Sequence, residues 1–181
     1  VEIMTRHLIA KALLAAALSL LAQPSLAERE TDRDAAGFLS SLEGRFSGSG
    51  TLQRAGGSSR SLTCAFNGDQ QGTRLSLEGS CSTAIVLGTK IQIELRLDPQ
   101  TGRYVGTFRE STGTVANLSG RRQGQRLTLA FNETAESRRP NPPATLTISR
   151  RGSGQGSGVE FTLRGSEPGK GQNIDLSLKE D

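Results

Sequence analysis

From Gly44 onward, apolar and polar positions alternate with a period of two. Leu62, Cys64 and Phe66 alternate with Ser61, Thr63 and Ala65, and Leu75, Leu77, Gly79 and Cys81 with Ser76, Glu78 and Ser80. Ile91, Ile93, Leu95 and Leu97 alternate with Lys90, Gln92, Glu94 and Arg96. The same spacing runs through Phe46 and Leu52, Tyr104 and Phe108, Ala116 and Leu118, and Leu127, Leu129 and Phe131. It continues through Leu146 and Ile148, Val159, Phe161 and Leu163, and Ile174, Leu176 and Leu178. Successive side chains of a strand point to opposite faces, so this pattern predicts about ten strands, each apolar on one face. Before them, Ala35, Phe38, Leu39 and Leu42 recur at helical spacing, with Asp32 or Asp34 as N-cap and Gly44 as the stop.

The links read as hairpins. Asp98-Pro99-Gln100-Thr101-Gly102 has Pro where a type I turn takes it and Gly for a left-handed exit. Ser111-Thr112-Gly113, Gln123-Gly124 and Glu167-Pro168-Gly169 are turn-like as well. Two links are longer: residues 132–143, whose Pro140, Pro142 and Pro143 exclude helix and central strand, and the Gly/Ser-rich residues 151–158. Strands without crossover helices make an antiparallel sheet. Closing it removes exposed edges. A sandwich would give the same alternation, but short links favour a meander. The expected fold is therefore all-β: an antiparallel up-and-down barrel of about ten strands with a short N-terminal helix. An outer-membrane barrel is disfavoured, because spanning strands need about 9–11 residues and aromatic girdles. Here the apolar runs read shorter, and aromatic residues are 4% of the chain.

The N-terminal segment changes the picture of where this barrel works. Basic Arg6, His7 and Lys11 precede an apolar run from Ala12 to Ala22, and Ser25-Leu26-Ala27 ends it with small residues. That is the layout of a secretory signal, too short for a permanent span. The expected organisation is a leader at 1–27, a polar segment and short helix at 28–43, and one barrel domain at 44–181. The protein is expected to be exported, periplasmic in a Gram-negative bacterium and otherwise extracellular, with no transmembrane anchor in the mature chain.

Composition then narrows the chemistry. The leader holds two of 22 basic and one of 18 acidic residues, leaving 20 against 17 and a mature net charge of +3. These charges are interspersed, without the basic stripe and stacking aromatics of a nucleic-acid surface, so no nucleic-acid partner is expected. The only His, His7, and the only Met, Met4, lie in the leader, and the chain has no Trp. A His-based triad, Cys–His pair or zinc site is therefore excluded from the mature chain. No cofactor and no metal are expected, and the protein reads as non-catalytic.

The two cysteines, Cys64 and Cys81, suit a disulfide in an oxidising compartment. A two-residue turn at Gly72-Thr73, with Gly first as in type II′, sets residues summing to 145 opposite each other, and these two cysteines do. Counting back from the turn makes them a non-hydrogen-bonded pair, with Cα atoms about 4.5 Å apart. A turn at Gly68-Asp69 would instead separate them. The same register puts Phe66 opposite Gly79, where a ring can cover bare backbone.

A short helix followed by Leu42-Glu43-Gly44-Arg45-Phe46 resembles the entry to the calycin superfamily of lipocalins, fatty-acid-binding proteins and avidins. The lipocalin signature there is Gly-x-Trp, and this chain has Phe46. The resemblance implies a small exported barrel with an apolar lumen.

Candidate ligand-binding residues follow from inward parity. Tyr104 and Arg150 offer polar tips that could hold an acidic head group; as core or strand-end residues they would instead pack and snorkel. Leu77, Ile93, Leu95, Phe108 and Leu129 would form the apolar wall. Inward Gly48, Gly50, Gly79 and Gly106 either leave room for a ligand or permit strand bending. The consecutive apolar run Ala84-Ile85-Val86-Leu87 could line a cavity mouth or form a bulged strand end. The basic pairs Arg121-Arg122 and Arg138-Arg139 could meet anionic head groups or stand solvated in loops. The expected function is non-catalytic binding of a lipid or other apolar or amphipathic small molecule. The alternative is a solid barrel acting on a partner protein as a periplasmic envelope accessory or inhibitor module.

Overall fold

The alternating segments form ten antiparallel strands that close on themselves. The computed structural model describes residues 32–84, 88–138, 140–152 and 157–181. Helix α1 (Asp32–Ser40) leads into β1 (Gly44–Arg54), β2 (Ser59–Gln71), β3 (Arg74–Ser82), β4 (Thr89–Asp98) and β5 (Arg103–Glu110). The chain continues through β6 (Val115–Gln123), β7 (Arg126–Glu133), β8 (Ala144–Arg151), β9 (Gly158–Gly165) and β10 (Gln172–Glu180). Each strand pairs with its neighbours in sequence, and β10 returns to β1, so the barrel is up-and-down and a sandwich is excluded. The expected leader and Glu28 lie outside the described residues.

Turn chemistry sets the register. Gln71 pairs with Arg74 and Cys64 with Cys81, as the turn at Gly72-Thr73 requires. Gly72 has φ +60° and no non-glycine residue has positive φ among those described, which fits a type II′ turn. The Cys64–Cys81 disulfide is present, with a Cα separation of 4.2 Å. In the turn from β4 to β5, the amide of Gln100 and the hydroxyl of Thr101 donate to the Asp98 carboxylate at 3.0 and 2.8 Å. The Thr101 bond, then the Gln100 bond, hold that carboxyl below its ordinary value.

The inward glycines serve closure. A Cβ on Gly106 would meet the Glu94 carbonyl carbon at 2.9 Å and Leu95 Cδ2 at 3.0 Å, so β4 occupies the space a side chain would need. Gly79 lies opposite Phe66, and a Cβ there would meet Phe66 Cγ at 2.7 Å. The ring covers the bare backbone, as the register implied.

Strand length proves uninformative about membranes. The strands run from 8 to 13 residues, as long as those that span a bilayer. The outward face is the decisive feature. Thr128, Thr147, Thr162, Asp175, Thr51 and Ser61 follow one another in register across six strands. A hydrocarbon-facing wall would require the reverse polarity. No described helix is long and apolar enough to cross a membrane.

Helix α1 determines the two ends of the barrel. Ala35, Phe38, Leu39 and Leu42 are buried. Phe38 meets Tyr104 edge-on at 6.3 Å, and the Arg122 guanidinium lies 5.4 Å from its ring centre. The helix thus plugs the end carrying the β2–β3, β4–β5, β6–β7 and β8–β9 turns. The odd-to-even turns, from β1–β2 to β9–β10, gather at the opposite end, where α1 does not reach.

Candidate functional site

The half of the lumen beside α1 is filled. Leu75, Leu77, Leu97, Tyr104, Leu127, Leu129 and Ile148 are each at most 3% exposed and belong to one continuous core. The other half encloses a cavity of about 780 Å³, within the range of small-molecule sites. Its lining comes from the strand halves nearest the odd-to-even turns.

Phenylalanine forms the floor. Phe66 on β2, Phe108 on β5, Phe131 on β7 and Phe161 on β9 are each the deepest lining residue of their strand. Phe66 and Phe161 stack at 5.7 Å, and Phe108 meets Phe131 edge-on at 5.0 Å. Beside and above them the wall is aliphatic: Leu52, Leu62, Ile91, Ile93, Leu146, Leu163, Ile174 and Leu176. Cys81 brings the disulfide to the wall.

Charge is confined to the rim. Arg54, Arg60 and Gln172 stand where β1, β2 and β10 end or begin; Glu110, Glu133 and Arg138 stand on the β5–β8 side. Asn141 donates to Glu133 at 2.8 Å. Among the described residues, Arg54 and Arg60 make no ion pair. No group of acids, Cys or His that could hold a metal occurs among the described residues. The arrangement can exclude water from an apolar body and meet a polar group at the mouth.

The expected site residues separate by depth. Phe108 and Ile93 line the cavity. Leu77, Leu95 and Leu129 face inward in the packed core and do not line the cavity. Tyr104 is fully buried against α1. Arg150 donates to Glu180 at 2.7 Å and to Ser157 at 3.2 Å, and it lies 5.5 Å from the Phe46 ring. Both polar tips therefore sit at the plugged end, so the head-group role expected of them has no cavity beside it. The Arg150 bond, then the Ser157 hydroxyl, hold the Glu180 carboxyl below its ordinary value. Of the run Ala84–Leu87, residues 85–87 lie outside the described residues, as does Arg139; Thr83 and Thr89, flanking the run, line the cavity. Parity alone did not single out Phe66, Phe131, Phe161, Arg54 or Arg60. The available signal was the mid-strand recurrence of Phe on four inward faces.

Fold and cavity together define a closed ten-strand antiparallel barrel, plugged at one end by a helix and hollow toward the other. The chain is similar in structure to Rv2717c from M. tuberculosis, known from a crystal structure: TM-score 0.59 at 16% identity, covering 81% of this chain and 97% of that one. That likeness is one of fold. No protein-family profile matches the chain, and no curated protein matches it.

Proposed function

We propose that this protein is an exported, non-catalytic carrier or receptor that binds an apolar or amphipathic small molecule inside the barrel. The carrying observation is the cavity of about 780 Å³, with a phenylalanine floor and aliphatic wall. Burying a ligand's apolar surface there contributes roughly 25 cal/mol per Å² before the cost of lost freedom. A solid barrel working through its outer face alone would have no use for such a space, so the cavity favours binding over the accessory-protein reading. The disulfide supports export, since such bonds persist in oxidising compartments. Titration with the neutral fluorophore N-phenylnaphthylamine tests the proposal: saturable, stoichiometric enhancement is expected. No enhancement, together with no small molecule retained through native purification by mass spectrometry, would sink it.

A further inference from the structure

The rim is divided by charge, and the division lies across the barrel's diameter. Arg54 and Arg60 occupy inward positions at the end of β1 and the start of β2. Leu52 pairs with Arg60, so Arg54 is the diagonal cross-strand neighbour of Arg60, within reach of long side chains. Gln172, paired with Arg54, adds an amide on the other flank. Arg60 is half-buried, yet neither arginine has a carboxylate in ion-pair range among the described residues. Glu110 and Glu133 flank β6, which lies five strands from β1 around the closed ring and therefore opposite it. An anion thus meets two cations on one arc of the mouth, and two acids with one cation, Arg138, on the other.

Building on the proposed binding function, we propose that the ligand is an amphiphile with a single anionic head. Its apolar body lies on Phe66, Phe108, Phe131 and Phe161, and its head is held by Arg54 and Arg60. Guanidinium forks match the oxygens of a carboxylate or phosphate, and the partly desolvated mouth strengthens those bonds relative to open water. The acidic arc fixes which side the head takes and disfavours a second anion. On that arc a cationic head would meet Arg138 as well, and one of the two acids, Glu133, already accepts a hydrogen bond from Asn141.

Displacement of bound N-phenylnaphthylamine by twelve-carbon competitors of different head, below their micellar concentrations, tests this. Dodecanoate or dodecyl phosphate should displace the probe at least about tenfold more tightly than dodecanol or dodecyltrimethylammonium. The difference between the two anions distinguishes a carboxylate from a phosphate ligand. In the double variant Arg54→Gln, Arg60→Gln, the anionic preference, read as the ratio of displacement by the anionic and neutral competitors, should vanish. Equal displacement by all heads, stronger displacement by dodecyltrimethylammonium or dodecylphosphocholine, or an anionic preference that survives in the variant would overturn the head-group assignment and leave the cavity proposal standing. If the probe fails to bind the wild-type protein and no small molecule is retained through native purification, both fall; if a molecule is retained, an anionic head on it supports the assignment and any other head overturns it.

Discussion

Two residues behave in ways their sequence positions do not suggest. Gly106 is inward and bare, yet it does not line the cavity; β4 backbone and Leu95 occupy the place of its missing side chain. Gly106→Ala should therefore cost about 1–3 kcal/mol through overpacking and leave probe affinity unchanged. Urea denaturation alongside fluorescence titration checks both halves, and a neutral effect on stability would defeat the closure role. Arg150 is held by Glu180 and Ser157, with its side chain only 13% exposed and its second terminal nitrogen, Nη1, buried without a partner among the described residues. Losing the acid would leave this cation less compensated, so Glu180→Gln should cost about 1 kcal/mol near neutral pH. The Glu180 pKa is lowered on folding. Its contribution is therefore fully present above the unfolded value of about 4.3 and disappears as pH falls through the lowered folded value. The Glu180 side chain is 44% exposed, which keeps this contribution small. Stability curves from about pH 7 to about pH 3 should converge for the wild type and Glu180→Gln at the acid end. A gap that persists undiminished would place the effect elsewhere.

Among the elements, helix α1 and the β2–β3 hairpin do most to define the cavity. The helix closes the lower end by seating Phe38 against Tyr104 and Arg122 and by burying Leu39 completely. Leu39→Ala leaves a void that the closed ring cannot easily collapse into. It should cost about 2–5 kcal/mol, visible as a shifted urea midpoint at constant slope. The hairpin carries the disulfide between residues 17 apart, with Cys81 on the cavity wall. Cys64→Ser with Cys81→Ser should cost about 3 kcal/mol in the chain-entropy account. These elements also show where sequence reading succeeds. A two-residue turn at Gly72 fixes the pairing of every residue behind it, so local chemistry at one position specifies a contact between residues 17 apart. Alternation likewise reports which face of a strand is inward, because that is a property of the strand itself. Depth along the barrel is different. Tyr104 and Phe108 have the same parity on the same strand, yet one packs on the helix and the other lines the cavity. Their difference depends on which turns share an end and where α1 docks, neither of which is local to β5. For the same reason parity places Arg150 in the lumen although it sits at the plugged end, and does not distinguish Arg54 and Arg60 at the mouth.

At the scale of the whole molecule, strands run from the packed half into the hollow half, and the crossing on β8 gives a test with opposite outcomes from the same chemistry. Leu146 and Ile148 lie two apart on β8, both inward and both buried, at 6% and 0% exposure. Leu146 lines the cavity; Ile148 does not and belongs to the filled core. Interiors are packed near crystal density, so a tryptophan at Ile148 must displace neighbours, whereas one at Leu146 can turn into space already empty. Ile148→Trp should therefore destabilise by at least about 1–3 kcal/mol. Leu146→Trp should fold with little loss of stability, because it adds apolar contact area without crowding. It should also abolish binding of N-phenylnaphthylamine, because the indole takes up room on the floor beside the phenylalanines. Thermal melts and probe titrations on the two variants decide the matter. Equal destabilisation by both would mean that the upper half closes in solution and that the barrel is solid throughout. A stable Leu146→Trp that still binds the probe would place the apolar site outside the lumen. Stability retained with binding lost at Leu146, against stability lost at Ile148, is the combination that a half-filled barrel alone produces.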